Sequence, residues 1–128
     1  MQALVVDDSA AVREMLSAQL TQHGFEVEQA GNGFEAVAKL QTMPQLAVVL
    51  LDWTMPGMDG LEVLRRVRAD ARYFAVPVVM VTSEGELPFV LDAFNAGASE
   101  YLMKPFDAQA VLEKLLLLGL DPEIRRAA

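Results

Sequence analysis

The sequence predicts an α/β domain, a doubly wound five-stranded parallel sheet in the order 2-1-3-4-5. Two patterns lead there. Five short apolar runs alternate with five amphipathic segments of helical period, as in βα units joined by right-handed crossovers. The first, third and fourth runs are solidly apolar, as strands covered on both faces are, whereas the second and fifth carry glutamates and belong at the edges. A chain of 128 residues suits one domain and can bury roughly two-thirds of its unfolded surface.

The first strand is Ala3 to Val6, ending in Asp7-Asp8-Ser9, and Ser9 is a natural N-cap for a helix from Ala10 to Gln22. Val12, Met15, Leu16 and Leu20 give that helix its apolar face, and His23-Gly24 stops it. Residues 25–30 alternate apolar and polar, the pattern of an edge strand with one side partly wet. Gly31-Asn32-Gly33 turns into a helix from Phe34 to Thr42 with Phe34, Val37 and Leu40 inward, closed by Pro44. Leu46 to Asp52 is the central strand, and Trp53 to Gly60 a loop rich in turn dipeptides.

The third helix runs from Leu61 to Ala71, with Leu61, Leu64 and Val67 inward and Arg65, Arg66, Arg68 and Arg72 largely outward. Pro77 to Val81 is an apolar strand ending at Thr82-Ser83. Glu86 to Ala96 carries Leu87, Val90, Leu91 and Phe94 at helical spacing, with Pro88 tolerable in the first turn and Gly97 as the stop. Glu100 to Met103 is the last strand, ending at Lys104-Pro105, and Phe106 to Leu118 the last helix, with Asp107 as its N-cap. Asp121-Pro122 begins a short polar tail.

Composition narrows the function. The absence of cysteine excludes a disulfide scaffold, a thiol nucleophile and a zinc-thiolate site. A formal charge of −8 argues against gripping nucleic acid or an anionic membrane. No basic leader follows Met1 and no apolar run approaches bilayer length, so a soluble intracellular chain is expected.

In this strand order the direction of winding reverses between strands one and three, whose ends carry Asp7, Asp8 and Asp52; such sheets bind ligands at that point. Three carboxylates brought together need a cation, and hard oxygen ligands without His or Cys indicate Mg²⁺ or Mn²⁺. A carboxylate beside that ion could attack phosphorus to give an aspartyl phosphate. A cation and a hydroxyl are also needed for the other phosphoryl oxygens, and strands five and four end in Lys104 and Thr82.

Val5 to Ser9 (VVDDS), Leu50 to Gly60 (LLDWTMPGMDG), Val81 to Ser83 (VTS) and Tyr101 to Phe106 (YLMKPF) follow one another in an order and spacing that closely resemble the receiver domain of bacterial two-component response regulators. The resemblance spans nearly the whole chain and is nearest to single-domain members such as the chemotaxis receiver. It implies a flavodoxin-like (βα)5 fold, and the strand order above is the family's own. It further implies a receiver domain over residues 1–120 and a tail over 121–128, with no output domain.

On the same resemblance Asp52 is the phosphoacceptor, charged by a sensor histidine kinase, a phosphotransfer protein or small donors. Asp8 ligates Mg²⁺ directly and Asp7 mainly through water, with Asp52 and the Thr54 backbone carbonyl completing the protein ligands. Lys104 binds the phosphoryl group and precedes a cis peptide bond to Pro105. Thr82 moves toward the phosphoryl oxygens and Tyr101 swings in behind it, altering the surface of the fourth helix, fifth strand and fifth helix. A downstream protein target reads that surface, which could also carry a dimer contact. Thr54 and Glu84 stand where the family varies and tunes phosphoryl lifetime, while Ser83 replaces the commoner alanine or glycine. The chain is then a cytoplasmic switch that assists its own phosphorylation and dephosphorylation without being a turnover enzyme.

Other readings are weaker. Acids at strand ends also serve as caps, but they do not explain the joint set with Lys104. His23, the only histidine, suits a helix C-terminus without phosphotransfer, and the third-helix arginines suit a solvated face. The methionines suit core filling, and residues 115–118, four leucines in succession, exceed one buried face and leave one or two near the surface. A phosphohydrolase with Asp52 as nucleophile would want an acid where Thr54 stands. A flavodoxin-like cofactor binder would want a glycine-rich phosphate loop after strand one. A receiver-like module that binds partners without phosphorylation is the remaining alternative.

Overall fold

Residues 1–120 are described by a computed structural model. β1 (Gln2–Val6), β2 (Glu26–Ala30), β3 (Leu46–Asp52), β4 (Val78–Thr82) and β5 (Glu100–Met103) form one parallel sheet in the order β2-β1-β3-β4-β5, as expected. The helices are α1 (Ala10–Gln22), α2 (Gly33–Leu40), α3 (Gly60–Ala69), α4 (Val90–Asn95) and α5 (Ala108–Leu117). Ser9, Asn32, Asp59 and Asp107 cap α1, α2, α3 and α5 through side-chain oxygens that accept backbone N–H groups. The tail expected over 121–128 lies outside the described residues, as does the side chain of Glu84.

The period-2 alternation of buried strands divides the core in two. Leu4, Val6, Val49, Leu51, Val78 and Met80 face the layer made with Ala36, Leu40, Val63, Leu64, Val67 and Ala93. Ala3, Val5, Val48, Leu50, Val79 and Val81 face the layer made with Leu16, Leu20, Val111 and Leu115. With helices on both faces, the open ground is the rim at the carboxyl ends of the strands.

Several side chains depart from the helical wheel. Phe34, expected inside, is exposed, because α2 meets the β3–α3 loop so closely that a Cβ on Gly33 would lie 2.7 Å from the Met58 carbonyl oxygen. Gly33, Ala36 and Leu40 form the buried stripe instead. Met15 is likewise exposed on α1, where Ser17 joins Leu16 and Leu20 inside. In α3, Val63 joins Leu64 and Val67 in the core, while Leu61 stays half-buried. Arg68 does not point away: its guanidinium donates to the carbonyls of Gly97 (2.8 Å) and Val76 (2.7 Å) and to Ser99 Oγ (3.3 Å), tying α3 to the loops before β4 and β5.

The fourth helix differs most. The expected helix from Glu86 to Ala96 is a 3-10 segment over Glu84–Phe89, containing Pro88, followed by a short α4. Proline removes a backbone donor and disfavours a helical residue before it, which suits a tighter lead-in. Ala93 is the buried residue of α4, and Leu87, Leu91 and Phe94 face solvent. Of the four leucines at 115–118, Leu115 is buried, Leu118 half-buried, and Leu116 and Leu117 exposed.

The loop from Trp53 to Asp59 is closed by Gly60, whose amide donates to the Trp53 carbonyl at 2.9 Å. A Cβ on Gly60 would stand 2.2 Å from the Asp52 carbonyl oxygen. Gly60→Ala is therefore expected to destabilise the fold by about 1–3 kcal/mol, measured by urea unfolding. Wild-type stability in that variant would show that the loop is not closed in this way.

Candidate functional site

Val6 of β1 lies opposite Leu51 of β3, so the residues that follow, Asp7 and Asp52, emerge side by side at the rim. One carboxylate oxygen from each of Asp7, Asp8 and Asp52 lies within 4.8 Å of the other two. Asp7 and Asp52 are buried, at 1% and 4% exposure, and Asp8 is open to solvent. Asp7 is fixed further by its Oδ1, which accepts the Ser9 amide at 2.9 Å, and by its carbonyl, which accepts the Arg13 guanidinium at 2.7 Å.

Lys104 enters from the end of β5. Its Nζ stands 3.1 Å from Asp7 Oδ2 and 3.4 Å from Asp52 Oδ1. Its amide donates to the Thr82 carbonyl at 2.7 Å, and its bond to Pro105 is cis, as the resemblance implied. Thr82 ends β4 fully buried, and its hydroxyl oxygen has no hydrogen-bond partner among the described residues. An unsatisfied buried hydroxyl at a ligand rim is a group waiting for an acceptor.

The charges are out of balance: three carboxylates face one ammonium. Burial first, and the Asp7 charge second, push the Asp52 carboxyl from 3.8 up to about 7, against the opposing pull of Lys104. Burial alone would lower the Lys104 ammonium, but its bond to Asp7 and the charges of Asp52 and Asp7 hold it above the ordinary lysine range. Hard oxygen donors with surplus negative charge fit a divalent cation such as Mg²⁺ or Mn²⁺.

The remaining expected residues lie nearby. Thr54 is exposed on the loop after Asp52, and its hydroxyl donates to Glu86 in a short hydrogen bond. Tyr101 on β5 is half-buried, edge-on to Phe94 of α4 at 6.4 Å between centroids, with Lys114 Nζ of α5 4.7 Å from its ring centre. Lys114 also pairs with Glu100 at 3.1 Å.

Glu86 was not singled out in the sequence. One of its carboxylate oxygens accepts the Ser83 amide at 2.7 Å and the Ser83 hydroxyl at 2.9 Å, and the other takes Thr54. Burial would raise its carboxyl, but the bonds from Thr54 and Ser83, with Lys104 beyond, hold it below the ordinary range. The signal was available: Ser83-Glu84-Gly85-Glu86 has the S-x-x-E spacing of a capping box. Phe89, which carries no local signal, stacks on Trp53 with ring centroids 6.4 Å apart.

Residues 3–116 match the family model described as the response regulator receiver domain. The chain is 40% identical over 123 residues to "Chemotaxis protein CheY1" of Helicobacter pylori, covering 94% of this chain and 99% of that protein. It is 41% identical over 116 residues to "Chemotaxis protein CheY homolog" of Campylobacter jejuni, covering 90% and 89%. Among solved structures, the chemotaxis response regulator CheY4 of Vibrio cholerae superposes with a TM-score of 0.85 at 36% identity, covering 91% of this chain and 97% of that one. The receiver domain of NtrX from Brucella abortus does so with a TM-score of 0.82 at 28% identity, covering 92% and 98%.

The raised Asp52 carboxyl has a consequence for stability. Between the ordinary carboxylate range and about 7, the folded chain keeps a proton on Asp52 that the unfolded chain has released. The Asp52 contribution to metal-free stability therefore falls as pH rises through that window. Asp52→Asn is expected to remove this contribution and to raise metal-free stability near pH 8 by about 1–2 kcal/mol. Lys104→Ala, which leaves the carboxylates without their cation, is expected to lower it by about 1–3 kcal/mol. Urea unfolding without divalent ions checks both signs, and an Asp52→Asn variant less stable than wild type would contradict the charge imbalance.

Proposed function

The chain belongs to the response regulator receiver domain family, and from that premise we propose that it is a phosphorylation-activated signalling switch with Asp52 as its phosphoacceptor. The observation that carries the reading is the buried Asp52 carboxylate at a rigid strand end, set against Asp7, Asp8 and Lys104 on one open rim. An Asp52 oxygen attacks phosphorus and forms the new P–O bond. The bond from phosphorus to a histidine nitrogen of a kinase or phosphotransfer protein, or to the bridging oxygen of acetyl phosphate, breaks. Its electron pair leaves with the imidazole or the acetate.

Asp7, Asp8, Asp52 and the Thr54 carbonyl would hold Mg²⁺, with Asp8 as a direct ligand and Asp7 acting through water. Bound there, the ion would offset charge on the carboxylates and phosphoryl oxygens. Lys104 would pair with one phosphoryl oxygen, and the Thr82 hydroxyl, without a partner among the described residues, would donate to another. Movement of Thr82 would leave room behind it for the Tyr101 ring, which now contacts Phe94 and Lys114. The readable surface is then α4, β5 and α5, where Leu91, Phe94, Leu116 and Leu117 are already exposed. A downstream protein would bind there, and a dimer contact is the other use of that face.

The chain would act in the cytoplasm; among its described residues no helix is long and apolar enough to cross a membrane. The chemotaxis proteins among its relatives make a chemotaxis pathway the first place to seek its kinase and target. Thr54 stands where a hydrolase using this nucleophile would want a second acid, which favours a switch over a turnover enzyme. The test is stoichiometry. With Mg²⁺ and excess labelled acetyl phosphate, the chain is expected to retain about one phosphoryl group, labile to hydroxylamine and absent from Asp52→Asn. Equal labelling of Asp52→Asn, or a wild type that takes up no Mg²⁺-dependent label, would reject the switch.

A further inference from the structure

The segment leaving β4 carries a carboxylate for which the proposed phosphoryl chemistry has no use. Glu86 accepts the amide and hydroxyl of Ser83 through one oxygen and the hydroxyl of Thr54 through the other. Thr54 stands two residues beyond Asp52 and Ser83 one beyond Thr82, on neighbouring strands that pair Asp52 with Val81. One side chain thus straps together the two loops that flank Asp52. The Trp53–Phe89 stack crosses the same gap, from the residue after Asp52 to the end of the 3-10 segment.

Three hydrogen-bond donors gathered around an anion at this rim are what a phosphoryl group also seeks. In the resting chain the anion is Glu86. A phosphoryl group on Asp52 would add negative charge close to that carboxylate and compete with it for the donors, above all the Ser83 amide. Bonds made only in the resting state oppose its conversion to any other.

We propose that Glu86 is a resting-state latch: its carboxylate occupies the donors of Ser83 and Thr54, slows the charging of Asp52, and on release frees the 3-10 segment that leads into α4. The latch rests on the reading of Asp52 as phosphoacceptor, and it links the site directly to the helix whose outer face is exposed. Glu86 is a positioning residue, acting through Ser83 and Thr54 without touching the reacting atoms.

The test compares the full-length chain with Glu86→Ala, Glu86→Gln, Thr54→Val and the Thr54→Val/Glu86→Ala double variant. The rate of phosphoryl adduct formation on Asp52 is followed by intact mass with acetyl phosphate and saturating Mg²⁺. Glu86→Ala is expected to charge about threefold to tenfold faster than wild type, the range that loss of a net hydrogen bond or two gives. Glu86→Gln, which keeps an acceptor for Ser83, is expected to gain less. The double variant is expected to be no faster than Glu86→Ala, because both changes break the same strap. A wild type that charges at Asp52 while Glu86→Ala is no faster, or while the two single gains simply multiply, overturns the latch and leaves the phosphoacceptor intact. A wild type with no Mg²⁺-dependent adduct on Asp52 overturns the phosphoacceptor, and the latch with it.

Discussion

Two buried carboxylates that share one lysine set the terms for this molecule. Asp7 and Asp52 sit at the ends of the first and third strands with Lys104 between them, and Asp8 adds a third acid. The ammonium offsets only part of the charge, and burial makes the remainder costly. Relaxation is blocked from several sides. Asp7 is held by Ser9 and Arg13, Asp52 is anchored in the strand ladder beside Val81, and Lys104 is tied by its amide to Thr82. The sheet therefore holds an arrangement that its charges alone would not choose.

That arrangement explains why so much of the fold concerns the rim. Apolar side chains alternating between two core layers fix the register of the strands, and a one-residue slip would turn Asp52 to the other face. Gly60 draws the following loop against the Asp52 carbonyl, where no larger residue fits. At the opposite end of α3, Arg68 pins the loops before β4 and β5 by donating to their carbonyls. α4 lies between two such ties, the Glu86 strap before it and the Arg68 bond to Gly97 after it, and buries little apolar surface of its own. An element with few buried contacts and tethered ends is suited to shift when one tether changes.

The fold and the heart of the site could be read from the sequence because both rest on strong local signals. Solid Val/Leu runs, glutamates on the edge strands and acids at the carboxyl ends of β1 and β3 have one simple arrangement, and the structure adopts it. Ser9 and Asp107 are legible as caps because their short side-chain oxygens accept the backbone N–H groups that open α1 and α5. What escaped was decided across elements. Phe34 lies outside because Gly33 needs to touch Met58, Arg68 is drawn inward by carbonyls far away in sequence, and the expected fourth helix is divided by the tighter segment around Pro88. Glu86 carried a capping signal, but its bond to Thr54 spans two loops and has no local signature.

The most direct measurement is the titration of the Asp52 carboxyl carbon by NMR, in metal-free protein and again with saturating Mg²⁺. The expected midpoint without metal is about 7, and Mg²⁺ should move it into or below the ordinary carboxylate range, since a bound cation favours the ionised form. A midpoint close to 3.8 under both conditions would mean that Asp52 bears no frustrated charge. The three acids and Lys104 would then be neighbours at a strand edge without forming a cation-dependent site.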